Sequence, residues 1–136
     1  MLQETLQGWK LSLQNGVVRM IQIDFRLGLS ISGGDSTAQL YVETPCTWLH
    51  HGMSNILDPA DPSTLAPILV VVNKSVVDIS ITRFGECAVS FDDGRCLKVD
   101  YHDKYEAWQL GLSTGVLFVC PPGGAVALFR TPEAHK

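Results

Sequence analysis

Apolar and polar side chains alternate with a period of two along much of the chain. From Ile21 the odd positions read Ile21, Ile23, Phe25, Leu27, Leu29 and Ile31, and the even ones Gln22, Asp24, Arg26, Gly28, Ser30 and Ser32. Successive side chains of a strand point to opposite faces, so the pattern predicts strands with one buried and one wet face. A break at 24–26 divides it into two strands. Upstream, Trp9, Leu11 and Leu13 alternate and lead into Asn15-Gly16. Both residues tolerate positive φ, so the pair predicts a type I′ hairpin joining a strand over 9–14 to one beginning at Val17.

The stretch CAVSFDDGRCLKV predicts a second hairpin whose register can be argued. A two-residue loop at Asp93-Gly94 would set Val89 against Lys98 and turn Leu97 to the wrong face. A three-residue loop, Asp92-Asp93-Gly94 with Gly94 left-handed, pairs Val89 with Leu97 and Cys87 with Val99 and keeps one apolar face. Cys87 then points inward and Cys96 outward, which argues against a bridge between them. GVLFVC, PPGG and AVALF predict a last hairpin, and residues 131–136 are expected to be loose.

Between these β segments lies DPADPSTLAPILVVVN, where two Asp-Pro pairs mark a loop. Leu65, Ile68, Leu69 and Val72 then fall at i, i+3, i+4 and i+7, a helical stripe, with Thr64 as N-cap and Pro67 in the first turn. The β-branched run 68–72 also suits a buried strand; the stripe favours one short helix.

A faint internal repeat relates 17–50 to 76–110. Each has an apolar alternation, a Leu-x-Val step (Leu40 and Val42; Leu97 and Val99), an acid after it (Glu43; Asp100) and a tryptophan (Trp48; Trp108). The fold expected is a mainly β, antiparallel, barrel-like or two-layer sheet of about eight strands with one short helix, all in one domain over 1–136.

Composition narrows the function classes. Charged residues make up 18% of the 136, the net charge is −4 and no basic run is present, so a nucleic-acid footprint is missing. The longest apolar stretch, 66–72, is far short of a membrane span, and the first ten residues hold no signal-peptide pattern. A cytoplasmic location follows as the default. The low charge content suits a surface partly covered by a partner, and a homodimer is one form of that. The four cysteines form no C-x-x-C pair, which weighs against structural zinc.

Candidate chemistry is sparse. His50-His51 lacks further ligands at metal spacing, while His102 and His135 stand isolated. DDG lacks the alternate acids of a calcium loop. SGGDST and PPGG lack phosphate-loop spacing, and no nucleophile motif is present. YEAWQL, residues 105–110, sets Tyr105 and Trp108 around Glu106. An indole beside a carboxyl raises its pKa by desolvation, but glycosidase chemistry needs a second carboxylate, and Asp100 or Asp103 would have to supply it. As a strand, 105–110 puts Glu106, Trp108 and Leu110 on one face and Tyr105, Ala107 and Gln109 on the other. A strand with an aromatic on each face is either sandwiched in the domain or exposes an aromatic patch, and such a patch marks a binding surface more often than a reaction centre.

GWKLSLQNGVVRMIQIDFRLGLSI, ILDPADPSTLAPIL, VVDISITRFGECAVSFDDGRCLKVDYHDKYEAWQL and PPGG together cover most of the chain. In these stretches it resembles a family of small uncharacterised bacterial proteins, common in actinobacteria, carried as a domain of unknown function. FDDG followed by L-x-V and YEAW is the most specific part. The resemblance carries no activity and no functional residue. In size and style such proteins are similar to immunity proteins, which neutralise a toxin by binding it. The function expected is a cytoplasmic protein-binding module without cofactor, with Tyr105, Glu106, Trp108 and Trp48 as contact residues. A small-molecule binder using a barrel interior is the alternative, and an enzyme the third reading.

Overall fold

A computed structural model describes residues 1–131. The expected loose end and His135 therefore fall almost wholly outside the described residues. The chain forms two antiparallel sheets. The first half runs β1 (Leu2–Glu4), β2 (Gly8–Leu11), β3 (Val17–Ile23), β4 (Leu27–Ser32), β5 (Thr37–Val42), β6 (Cys46–His50) and β7 (Met53–Leu57). After a 3-10 helix at Pro62–Val71 come β8 (Val76–Thr82), β9 (Cys87–Phe91), β10 (Cys96–Val99), β11 (Trp108–Leu112), β12 (Val116–Cys120) and β13 (Ala127–Arg130). One sheet has the order β1-β2-β8-β9-β10-β6-β7 and the other β13-β12-β11-β5-β4-β3. The architecture is two-layer and does not close into a barrel. The count exceeds eight because several apolar stretches hold two short strands and a tight turn.

Each half of the chain builds a three-stranded meander and then crosses to the opposite sheet. β3-β4-β5 is followed by β6 and β7, and β8-β9-β10 by β11 and β12. The registers agree: Leu29 faces Leu40 as Val89 faces Leu97, and Leu27 faces Val42 as Cys87 faces Val99. Val89 with Leu97 and Cys87 with Val99 are both the pairings that the three-residue DDG loop predicts, and Gly94 is left-handed at φ 89°. The two tryptophans are not counterparts, however. Leu97 pairs with Trp48, whereas Leu40 pairs with Leu110.

The alternation from Ile21 to Ile31 is only half buried. Leu27, Leu29 and Ile31 lie in the core, while Ile23 and Phe25 are exposed. β3 is an edge strand, and a bulge between Val18 and Met20 shifts its register. Asn15-Gly16 does not join a hairpin: β2 pairs with β1 and β8, and β3 with β4. Gly16 N–H bonds Leu13 O at 3.1 Å and only Asn15 has positive φ, the pattern of a type II rather than a type I′ turn. The turn carries the chain from one sheet to the other. Alternation names a buried face but not the neighbouring strand.

The helix buries Leu65, Ile68 and Val71, at a spacing of three, and exposes Leu69 and Val72. That is the repeat of a 3-10 helix, which carries one stripe at i, i+3, i+6. Asp61 precedes it in place of Thr64, whose hydroxyl bonds Asp61 O at 2.8 Å and accepts from Asp58 N–H at 2.7 Å. Pro67 lies inside, where its missing N–H weakens an α-helical ladder.

One apolar cluster fills the space between the sheets, drawing on both. Trp9 of one sheet meets Phe118 of the other edge-on at 5.2 Å. The filled interior leaves no barrel lumen for a ligand.

Candidate functional site

The four residues singled out in sequence separate in space. Trp108 and Trp48 are both core residues, on opposite sheets. Trp48 packs against Phe91 with centroids 5.8 Å apart. Neither indole is open to a partner, because β6 and β11 are interior strands whose inward positions are covered by the facing sheet. Tyr105 is 64% exposed, and Glu106 is half-buried. The strand expected over 105–110 begins only at Trp108, so residues 105–107 form its approach.

Trp108 nevertheless organises a surface. Its Nε1–H donates to Gly85 O at 2.9 Å, a buried bond from β11 of one sheet to the β8–β9 turn of the other. The thiol of Cys120 reaches the same oxygen at 3.5 Å. Gly85 has φ 104°, a left-handed conformation that glycine adopts without a Cβ penalty. A Cβ there would lie 2.8 Å from Tyr101 Cβ and 2.9 Å from Gly124 Cα. Gly124 is as tightly enclosed: a Cβ would stand 2.5 Å from Phe84 O and 2.8 Å from Tyr101 Cγ. Gly123 N–H bonds His102 O at 3.0 Å. Three loops, 83–85, 100–107 and 121–126, are thus locked backbone to backbone.

The lock presents aromatics to solvent. Phe84 is 79% exposed and Tyr101 46%. They border an open groove of about 390 Å³ completed by Arg83, Gly123, Gly124 and Ala125. Arg83 is held from behind by Trp9, its guanidinium 4.7 Å from the ring centroid, and by Glu4 at 2.5 Å. On the 100–107 loop Tyr105 packs on His102, centroids 5.0 Å apart. Phe84, Gly85, Tyr101 and the Gly123-Gly124 pair were not among the sequence candidates. The signal available was RFGE, an aromatic followed by glycine at a turn, and PPGG reads as an ordinary hairpin loop until Tyr101 is seen above it.

Glu106 does gain a carboxylate neighbour, and it is Glu43 rather than Asp100 or Asp103. Glu43 N–H bonds Ala107 O at 2.9 Å, which brings the two side chains together. Burial raises the Glu106 pKa above the ordinary carboxyl value, and the hydrogen bond with Glu43 and its charge add to the rise. No group of three metal-ligating side chains occurs among the described residues. Burial pushes the Cys46 thiol up to about 12, and burial and then Glu106 push the Cys120 thiol up to about 11, which disfavours the thiolate at both. No described helix is long and apolar enough to cross a membrane.

Residues 9–130 match the family of unknown function DUF6188, and the chain belongs to that family. No curated protein and no solved structure matches it.

Proposed function

We propose that this member of the DUF6188 family is a non-catalytic protein-binding module whose contact face is the locked aromatic loop cluster. The observation that carries the reading is the buried Trp108–Gly85 hydrogen bond beneath Phe84. Exposed aromatics on mobile loops lose entropy when a partner orders them, whereas aromatics already fixed contribute their area at little cost. Phe84 and Tyr101 are the anchors, with Tyr105 and Glu106 at the margin. Trp108 acts from below, and Trp48 has no part in the face.

An immunity-like role fits the same arrangement, in which a small protein covers part of a toxin by shape. A cytoplasmic setting agrees with four cysteines that are all free. The single core cluster supports one domain, and the matching registers of the two meanders support a duplication of the 17–50 unit as 76–110. A homodimer remains part of the proposal on the low charge content.

The test compares the chain with the double variant Phe84→Ala/Tyr101→Ala, each immobilised and exposed to extract of the native host. One protein is expected to be retained in near-stoichiometric amount by the wild type and lost by the variant, with unchanged Tm. Equal retention by both chains, or a partner retained by neither, overturns the reading.

A further inference from the structure

The two sheets end in four edge strands, β1 and β7 in one and β13 and β3 in the other. An edge offers unpaired N–H and C=O groups to any other strand, and proteins blunt it with charge, bulges, short length or cover. β1 has three residues and ends on Glu4, which Arg83 holds. β3 has its bulge and an exposed Arg19. Residues 73–75 also bond along its start: Val18 N–H donates to Lys74 O at 3.0 Å and Asn73 N–H to Val18 O at 2.8 Å. β13 has four residues and ends on an exposed Arg130.

β7 has none of these devices. Its residues, Met53-Ser54-Asn55-Ile56-Leu57, include no charge and no proline, and they pair with β6 in unbroken register. The first four are exposed in succession, with Met53 at 70% and Ile56 at 65%. Among the described residues, no backbone hydrogen bond reaches 53–57 from outside the β6 pairing.

We propose that β7 pairs antiparallel with β7 of a second copy, which joins two seven-stranded sheets edge to edge about a two-fold axis. The inference rests on the homodimer of the preceding reading and supplies its interface, using no residue of the loop cluster. Pairing with Trp48 and His50 puts Asn55 and Met53 on the inner face, with Leu57, and leaves Ser54 and Ile56 on the outer one. An axis perpendicular to the sheet keeps each face continuous, and centring it on Asn55 uses all five residues. Met53 of each copy then faces Leu57 of the other, Ser54 faces Ile56, and Asn55 faces its own copy. A side-chain amide both donates and accepts, so the central pair is self-complementary, as an isologous interface requires.

The flanking charges select this orientation. His50 and His51 precede the strand, and Asp58 and Asp61 follow it. Antiparallel pairing sets Gly52 of each copy against Asp58 of the other, which brings imidazoles to acids at both ends. Parallel pairing would set acid against acid.

The test measures the mass of the full chain in solution by sedimentation across a concentration series. Wild type is expected to reach twice the chain mass. Asn55→Lys, which places two lysines opposite each other, should lose the dimer, as should Asn55→Asp. Mixing these two variants should restore a dimer containing one of each. Ile56→Lys, on the outer face, should also lose the dimer, and Tm at low concentration shows that each variant folds. A monomeric wild type overturns the proposal. So does a dimer that survives in folded Asn55→Lys and Ile56→Lys, or a charge-swapped mixture that stays monomeric. Retention of a partner through Phe84 and Tyr101 is read in a separate assay, so either reading can fail without the other.

Discussion

Phe25 and Phe84 sit at the centres of the three-residue turns that open the two meanders, and both are about equally exposed, 75% and 79%. Their surroundings differ. The 24–26 turn is closed by its own residues: Asp24 N–H bonds Arg26 O at 3.2 Å and the Arg26 guanidinium meets Asp24 at 3.1 Å. Phe25 itself takes the strained left-handed φ of 63°. The 83–85 turn passes that conformation to Gly85 and is tied down by Trp108, Tyr101 and Gly124. Equal exposure therefore does not mean equal readiness to bind. A clamp made by distant segments holds one phenylalanine in place, while a local ion pair on the surface contributes little rigidity to the other.

The largest effect expected on this contrast comes from Trp108→Ala. Removing a fully buried indole should cost about 3–5 kcal/mol, measured by denaturant unfolding. Hydrogen exchange should rise at Gly85 and at Gly123, while amides of 24–26 hold their relative protection. Equal loosening of both turns would break the contrast. Next comes Gly124→Ala, which combines positive φ with a 2.5 Å approach to Phe84 O. It should cost about 3 kcal/mol, against about 1 kcal/mol for Gly52→Ala, whose φ is also positive but whose surroundings are open. Similar losses would mean that conformation, and not enclosure, accounts for the glycine.

The smallest effect is a difference of sign with pH. The Glu106 carboxyl sits above its ordinary value, so its contribution to stability is full below that value and is lost as pH rises through the folded pKa. Asp24 is the reverse: the hydrogen bond from Arg26 lowers its pKa, so its contribution is present above the ordinary range and lost as pH falls through the folded pKa. Glu106→Gln should thus raise Tm at pH 7 and leave it unchanged near pH 4. Asp24→Asn should lower Tm at pH 7 and converge on wild type in acid. Tm profiles that move in the same direction would show that the two ends are not electrostatically opposed.

What could be read from the chain was local. Alternation located most of the strands, and the DDG register followed because only one loop length keeps Val89 and Leu97 on one face. The helical stripe found the 3-10 helix at about the right place but with the wrong period, since Leu65 and Ile68 serve both repeats and only the burial of Val71 separates them. Of the four contact residues expected, Tyr105 and Glu106 reach the surface.

Partnership was decided by the tertiary structure. A period of two states that one face is buried, but every strand that meets the requirement looks alike, so the pattern could not say that β2 joins β8 rather than β3 or that β11 joins β5. The candidate site depends on those choices. Trp108 and Gly85 are neighbours only because their strands lie in opposite layers, and Glu43 meets Glu106 only because β5 lies beside β11. Burial preference is a property of each side chain and its spacing. Juxtaposition depends on how two sheets with many apolar faces settle on one shared core, and that is a property of the whole chain.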